Sequence, residues 1–120
     1  MKNLFLMATM LLTFGVLNAQ TKIKLGSYVG KIEISGKLTN VNTNLENTEN
    51  NIKGNYAYGS YSGKLINCKL EAHTLTCNWK ESETSTGNFT AIFNDDYSSF
   101  NAVWSYSNGN NGGAWFATRK

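Results

Sequence analysis

From Ser27 onward, apolar and polar residues alternate in short runs broken by Gly, Asn, Asp and Ser, the two-residue period of half-buried strands. Ser27 to Ile34 places Tyr28, Ile32 and Ile34 on one face and Lys31 and Glu33 on the other. Lys37 to Val41 returns after a turn at Gly36. Asn42 to Asn51 has almost no apolar content and reads as a loop. Gly54 to Tyr61 is a strand carrying Tyr56, Tyr58 and Tyr61, kinked near Gly59. Lys64 to Leu70 and Thr74 to Lys80 form the next pair. Asn88 to Phe93 aligns Phe89, Ala91 and Phe93, and Ser99 to Tyr106 aligns Phe100, Ala102, Trp104 and Tyr106. Between them Asn94-Asp95-Asp96 supplies turn chemistry. After an Asn/Gly loop at Ser107 to Gly113, Ala114 to Arg119 aligns Trp115 and Ala117. No window of helical length carries a 3.6-residue period. The expectation is an all-β domain, an antiparallel up-and-down barrel or a flattened barrel or sandwich, of about six to eight strands.

The first residues follow another pattern. Lys2 precedes a nearly unbroken apolar run from Leu4 to Val16, which ends through Leu17-Asn18 at the small residue Ala19. That is the order of a secretory signal. The run is shorter than the roughly 20 residues a comfortable membrane span needs. An uncleaved anchor is the alternative, but it lacks a basic stop. Residues 1–19 are therefore read as a cleavable leader, with no stable membrane span once it is removed. Residues 20–120 are read as one exported domain, secreted or periplasmic.

The absence of proline and the abundance of Asn, Thr, Ser, Gly and Tyr agree with strands and turns. The net charge of +3 falls to +2 once Lys2 leaves with the leader, and the basic residues are dispersed. A nucleic-acid partner is not expected.

Cys68 and Cys77 sharpen the picture. If Leu70 pairs with Leu75 around Glu71-Ala72-His73-Thr74, antiparallel register sets Cys68 opposite Cys77 and Ile66 opposite Trp79, all on one face. An exported chain permits a disulfide there. Two buried free thiols, or half a metal site, are the alternatives. The spacing is not the CxxC of redox catalysis, and His73 is the chain's single histidine. No metal or other cofactor is expected.

Further along, Gly54-Asn55-Tyr56, Gly63-Lys64-Leu65, Leu75-Thr76-Cys77-Asn78-Trp79, Gly87-Asn88-Phe89, Ser99-Phe100, Trp104 and Gly113-Ala114-Trp115-Phe116-Ala117-Thr118-Arg119 form a recurrent pattern. It resembles small exported bacterial β proteins whose strands end in G-x-W or G-x-F and whose last strand reads W-x-G-T-R. The likeness covers about half of the chain, with Ala117 standing where that pattern has Gly. The positions matching Cys68 and Cys77 are often glycines there. A looser resemblance is to calycins, the lipocalin and avidin-like barrels. It implies that Gly26-Ser27-Tyr28 opens the barrel and that Arg119 packs across the Tyr28 ring to close it, a structural role.

Catalytic constellations are scarce. His73 sits on an expected hairpin turn, as a solvated residue with no nucleophile at hand. Asp95-Asp96 belongs to a turn, and Glu81 and Glu83 flank a Ser/Thr loop. Neither pair points to acid–base work. The aromatic set remains. Either it fills a small barrel, or Tyr56, Tyr58, Tyr61, Trp79, Trp104 and Trp115 line a mouth for a small ligand, a glycan or a protein. The function expected is non-enzymatic binding. Alternatives are inhibition of a secreted protease or lysozyme through the Asn42–Asn51 or Ser107–Gly113 loop, or a purely structural exported protein.

Overall fold

The computed structural model describes residues 23–49, 51–110 and 112–120; the leader expected at 1–19 lies outside them. Eight strands follow in order: β1 (Ser27–Ile34), β2 (Lys37–Thr48), β3 (Asn51–Tyr58), β4 (Tyr61–Glu71), β5 (Thr74–Lys80), β6 (Thr86–Phe93), β7 (Ser99–Tyr106) and β8 (Gly113–Arg119). Each pairs antiparallel with its neighbours, and β1 pairs with β8, so the sheet closes into an up-and-down barrel. Closure leaves no open sheet edge. Between barrel and sandwich, the closed barrel is the architecture.

The alternation does what the period demands. Along β6 and β7 every second side chain points inward, and Phe89, Ala91, Phe93, Phe100, Ala102 and Trp104 are buried. The interior is an aromatic column. Trp115 meets Tyr56 edge-on at 4.9 Å between ring centroids and Phe89 at 4.7 Å. Phe89 meets Phe100, which meets Phe93 and Tyr28. Burying one such ring is worth about 1.5–3 kcal/mol. The exposed ion pairs Lys69–Glu71 and Lys80–Glu83 are worth about 0–1 kcal/mol each, so the column, not surface charge, holds the barrel.

Three expectations need correction. Asn42 to Asn51 is not a loop: β2 continues to Thr48, with Val41, Thr43 and Leu45 inward. Thr43 hid the pattern because it is a polar residue at a core position. It is fully buried, and its hydroxyl accepts the Trp115 indole N–H at 3.1 Å. The kink near Gly59 is a hairpin turn. Tyr58 pairs with Tyr61, and Gly59 takes a φ of 56° between them. Finally, Leu70 does pair with Leu75, but Trp79 faces Leu65 rather than Ile66. A bulge places Asn67 and Cys68 together opposite Cys77, and Asn67 adopts a φ of 54°. Beyond it the inward face passes to Leu65, which is fully buried, while Ile66 is only half-buried.

The disulfide between Cys68 and Cys77 is formed at that bulge. Its short loop, nine residues apart in sequence, is worth about 2–3 kcal/mol by loop-closure entropy.

Candidate functional site

Four hairpin connections, those after β1, β3, β5 and β7, surround one end of the barrel. The C-terminal ends of those strands bring a ring of side chains there. β3 supplies Tyr56 and Tyr58, β5 supplies Trp79 followed by Glu81, and β7 supplies Trp104 and Tyr106. Trp115 lies deeper, as the floor. Together they line a recess of about 50 Å³.

The rings lock one another. Trp79, Trp104 and Tyr106 meet edge-to-face in all three pairings, with centroids 5.2–5.8 Å apart. Both indole N–H groups are spent on backbone carbonyls, Trp79 on Ser105 and Trp104 on Glu33, each at 3.0 Å. Opposite them Tyr56 and Tyr58 stack in parallel. Their hydroxyls donate to the same Glu81 oxygen, Oε2, at 2.8 and 3.0 Å. Glu81 is half-buried, and among the described residues Oε1 accepts no hydrogen bond and no Lys, Arg or His pairs with the carboxylate. Burial first, then the hydrogen bond to Glu81 and its charge, push both phenols well above the ordinary tyrosine range. They stay protonated donors.

Glycines make the room. Tyr56 pairs with Gly63, Trp79 with Gly87 and Trp104 with Gly113. A Cβ on Gly63 would strike the Tyr56 hydroxyl and Glu81, and one on Gly87 would strike the Trp79 indole. This is a physical reason for glycine and aromatic residues to recur together along the chain: the Tyr56 and Trp79 rings each lie over the bare backbone of the next strand, while a Cβ on Gly113 would strike Glu33.

Among the six aromatic residues singled out from sequence, Tyr56, Tyr58, Trp79, Trp104 and Trp115 share the recess. Tyr61 does not line it; it is largely exposed and stacks on Tyr58 at the hairpin turn. Sequence reasoning set Glu81 aside, and Tyr106 stayed outside the chosen set. The signal for Glu81 was its spacing of two from Trp79, which puts both on the inward face of β5 as it leaves the barrel. Glu83 instead turns outward and pairs with Lys80. The Asp95-Asp96 pair stays in its turn, where Asp96 accepts the Ser98 N–H. The Ser98 hydroxyl first, and then that N–H, hold its carboxyl below the usual range.

At the other end Tyr28 and Arg119 are register partners on β1 and β8. Tyr28 donates to the Tyr97 carbonyl at 2.7 Å, and Arg119 donates to the carbonyls of Tyr97 and Lys24. Burial raises the Tyr28 phenol, with Arg119 pulling the other way. His73 is not simply solvated. It is half-buried on the β4–β5 turn and stacks on Tyr97 at 4.8 Å. Among the described residues no group of His, Cys, Asp and Glu is placed to hold a metal ion.

No family model, curated protein or solved structure matches this chain.

Proposed function

We propose that this is an exported, non-enzymatic binding protein that takes part of a small ligand into the recess ringed by Trp79, Trp104 and Tyr106. The observation that carries this reading is the placement of a half-buried carboxylate, Glu81, with no cationic partner among the described residues, within these aromatic walls. Packing alone does not call for such a group, since a carboxylate half out of water costs free energy that two phenol hydrogen bonds to one of its oxygens offset only in part. Recessed apolar surface with few convergent polar groups is the common form of a ligand site. The capacity is modest: about 50 Å³ admits a headgroup rather than a whole drug-sized molecule. A broader open groove beside the mouth shares Tyr56 and Glu81 and gives the remainder of a ligand a path out. Export through the leader at residues 1–19 belongs to the same reading, and the disulfide is compatible with an oxidising compartment.

The test is a fragment screen on the mature protein, read through the Trp79 and Trp104 indole N–H resonances. Binding predicts fragments that move these two signals and leave those of the Tyr28 end unchanged. A screen in which every hit maps to the outer strands, or in which none is found, removes the reading.

A further inference from the structure

The recess has a chemical bias. Its walls are mainly five aromatic rings, Tyr56, Tyr58, Trp79, Trp104 and Tyr106, above the indole of Trp115, with two isoleucines and Ser85 completing the lining. Its one ionisable group outside the phenols is the carboxylate of Glu81, and its lining includes no Lys, Arg or His. Aromatic faces carry negative potential, which attracts cations and does nothing for anions. The Glu81 charge adds to that field. Both phenol hydroxyls point their positive ends at Oε2, so Oε1 keeps its acceptor capacity. The indole N–H donors, which would otherwise serve an anion, are committed to Ser105 and Glu33 carbonyls.

Size discriminates further. At about 50 Å³ the recess is well below the few hundred Å³ of a drug-sized site and suits a compact head. A methylated ammonium head is such a compact group; a sugar ring would need several hydrogen-bond partners for its hydroxyls, and both indole N–H donors are already committed. A bare ammonium ion would fit but would exchange a full hydration shell for one free acceptor, Glu81 Oε1, because ring faces accept hydrogen bonds only weakly. Methyl groups on nitrogen spread the charge over a surface that aromatic walls can touch.

Resting on the binding reading above, we infer that the recess accepts a methylated or quaternary ammonium head, held by the Trp79, Trp104 and Tyr106 rings with Glu81 as counter-charge. Any longer tail leaves along the groove beside Glu81.

The experiment titrates mature protein with tetramethylammonium, choline and the uncharged carbon isostere of choline, 3,3-dimethylbutan-1-ol. The readout is again the Trp79 and Trp104 indole N–H signals. Choline should bind about tenfold more tightly than its isostere, and Glu81→Gln should remove most of that preference while the far-UV spectrum stays the same. Trp104→Phe, which keeps a ring in place, should weaken choline severalfold and serves if the Gln variant folds poorly. If the isostere binds as well as choline, the cation inference falls and the binding site stands. If neither binds but other fragments move the same indoles, the ligand class is wrong. If nothing moves them, the site reading itself fails.

Discussion

At the Tyr28 end of the barrel, a phenol and a guanidinium both donate to the Tyr97 carbonyl, and the guanidinium also reaches Lys24. At the Tyr56 end, two phenols donate to one oxygen of a carboxylate. The first arrangement consumes its own polar groups. Chain from Lys24 to Gly26 covers it, with the Gly26 carbonyl accepting the Leu45 N–H. Phe93, Phe100 and Tyr28 fill the space behind. The second arrangement leaves an acceptor unused and space unfilled. Tyrosines at both ends thus serve different purposes: a cation over carbonyls makes a lid, and an anion under phenols makes a cup.

That contrast can be broken from the lid side first. Phe100→Ala, deep against Tyr28, should cost about 3–5 kcal/mol in chemical denaturation. The same truncation of half-buried Tyr58 should cost much less. Next, replacing both Cys68 and Cys77 with Ser should lower stability by about 2–3 kcal/mol, read as a shift of the denaturation midpoint. A loss much smaller than that would show that the bulged hairpin holds its register without the bridge. Arg119→Met should follow at about 1–3 kcal/mol, because it removes donors from the Lys24 and Tyr97 carbonyls. The smallest effect belongs to the cup: Glu81→Gln should change stability at neutral pH by no more than about 1 kcal/mol, since an amide oxygen still accepts from the phenols.

Alkali sharpens the same comparison. The Tyr56 and Tyr58 phenols have their folded pKa raised above the unfolded value. Their stabilising contribution is therefore complete below about pH 10 and is lost as pH rises toward the folded values. Absorbance titration of the six tyrosines should show Tyr56 and Tyr58 withheld longest, with Tyr28 also delayed by its burial. In Glu81→Gln the withholding should weaken but persist, because burial remains the larger cause.

Much of the lid and column was legible along the chain, because residues such as Phe89, Phe93, Phe100 and Trp104 mark an inward face at unbroken two-residue spacing. Where the spacing breaks or the inward residue is polar, the pattern misleads. Thr43 sits in the core because a tryptophan on β8 donates to it, a partner 72 residues away. The Asn67 bulge depends on one residue entering the left-handed region, which Asn tolerates better than most. The cup was half legible. Its aromatic residues announce themselves, but Glu81 acquires meaning only when β3 and β5 bring its oxygen to two phenols.

Seven of the eight strand pairings join neighbours in sequence; the pairing of β1 with β8 alone joins the extremes. Hairpin contacts form quickly because little chain entropy opposes them, whereas the last seam spans almost the whole domain. Folding therefore has a local phase and a single long-range closing step. A ribosome that still holds Gly113–Arg119 leaves the β1 and β7 edges unpaired, so chaperone protection should matter most in that interval. A variant that weakens the Arg119 clasp should reveal itself as aggregation during synthesis before it does so as a lower melting temperature.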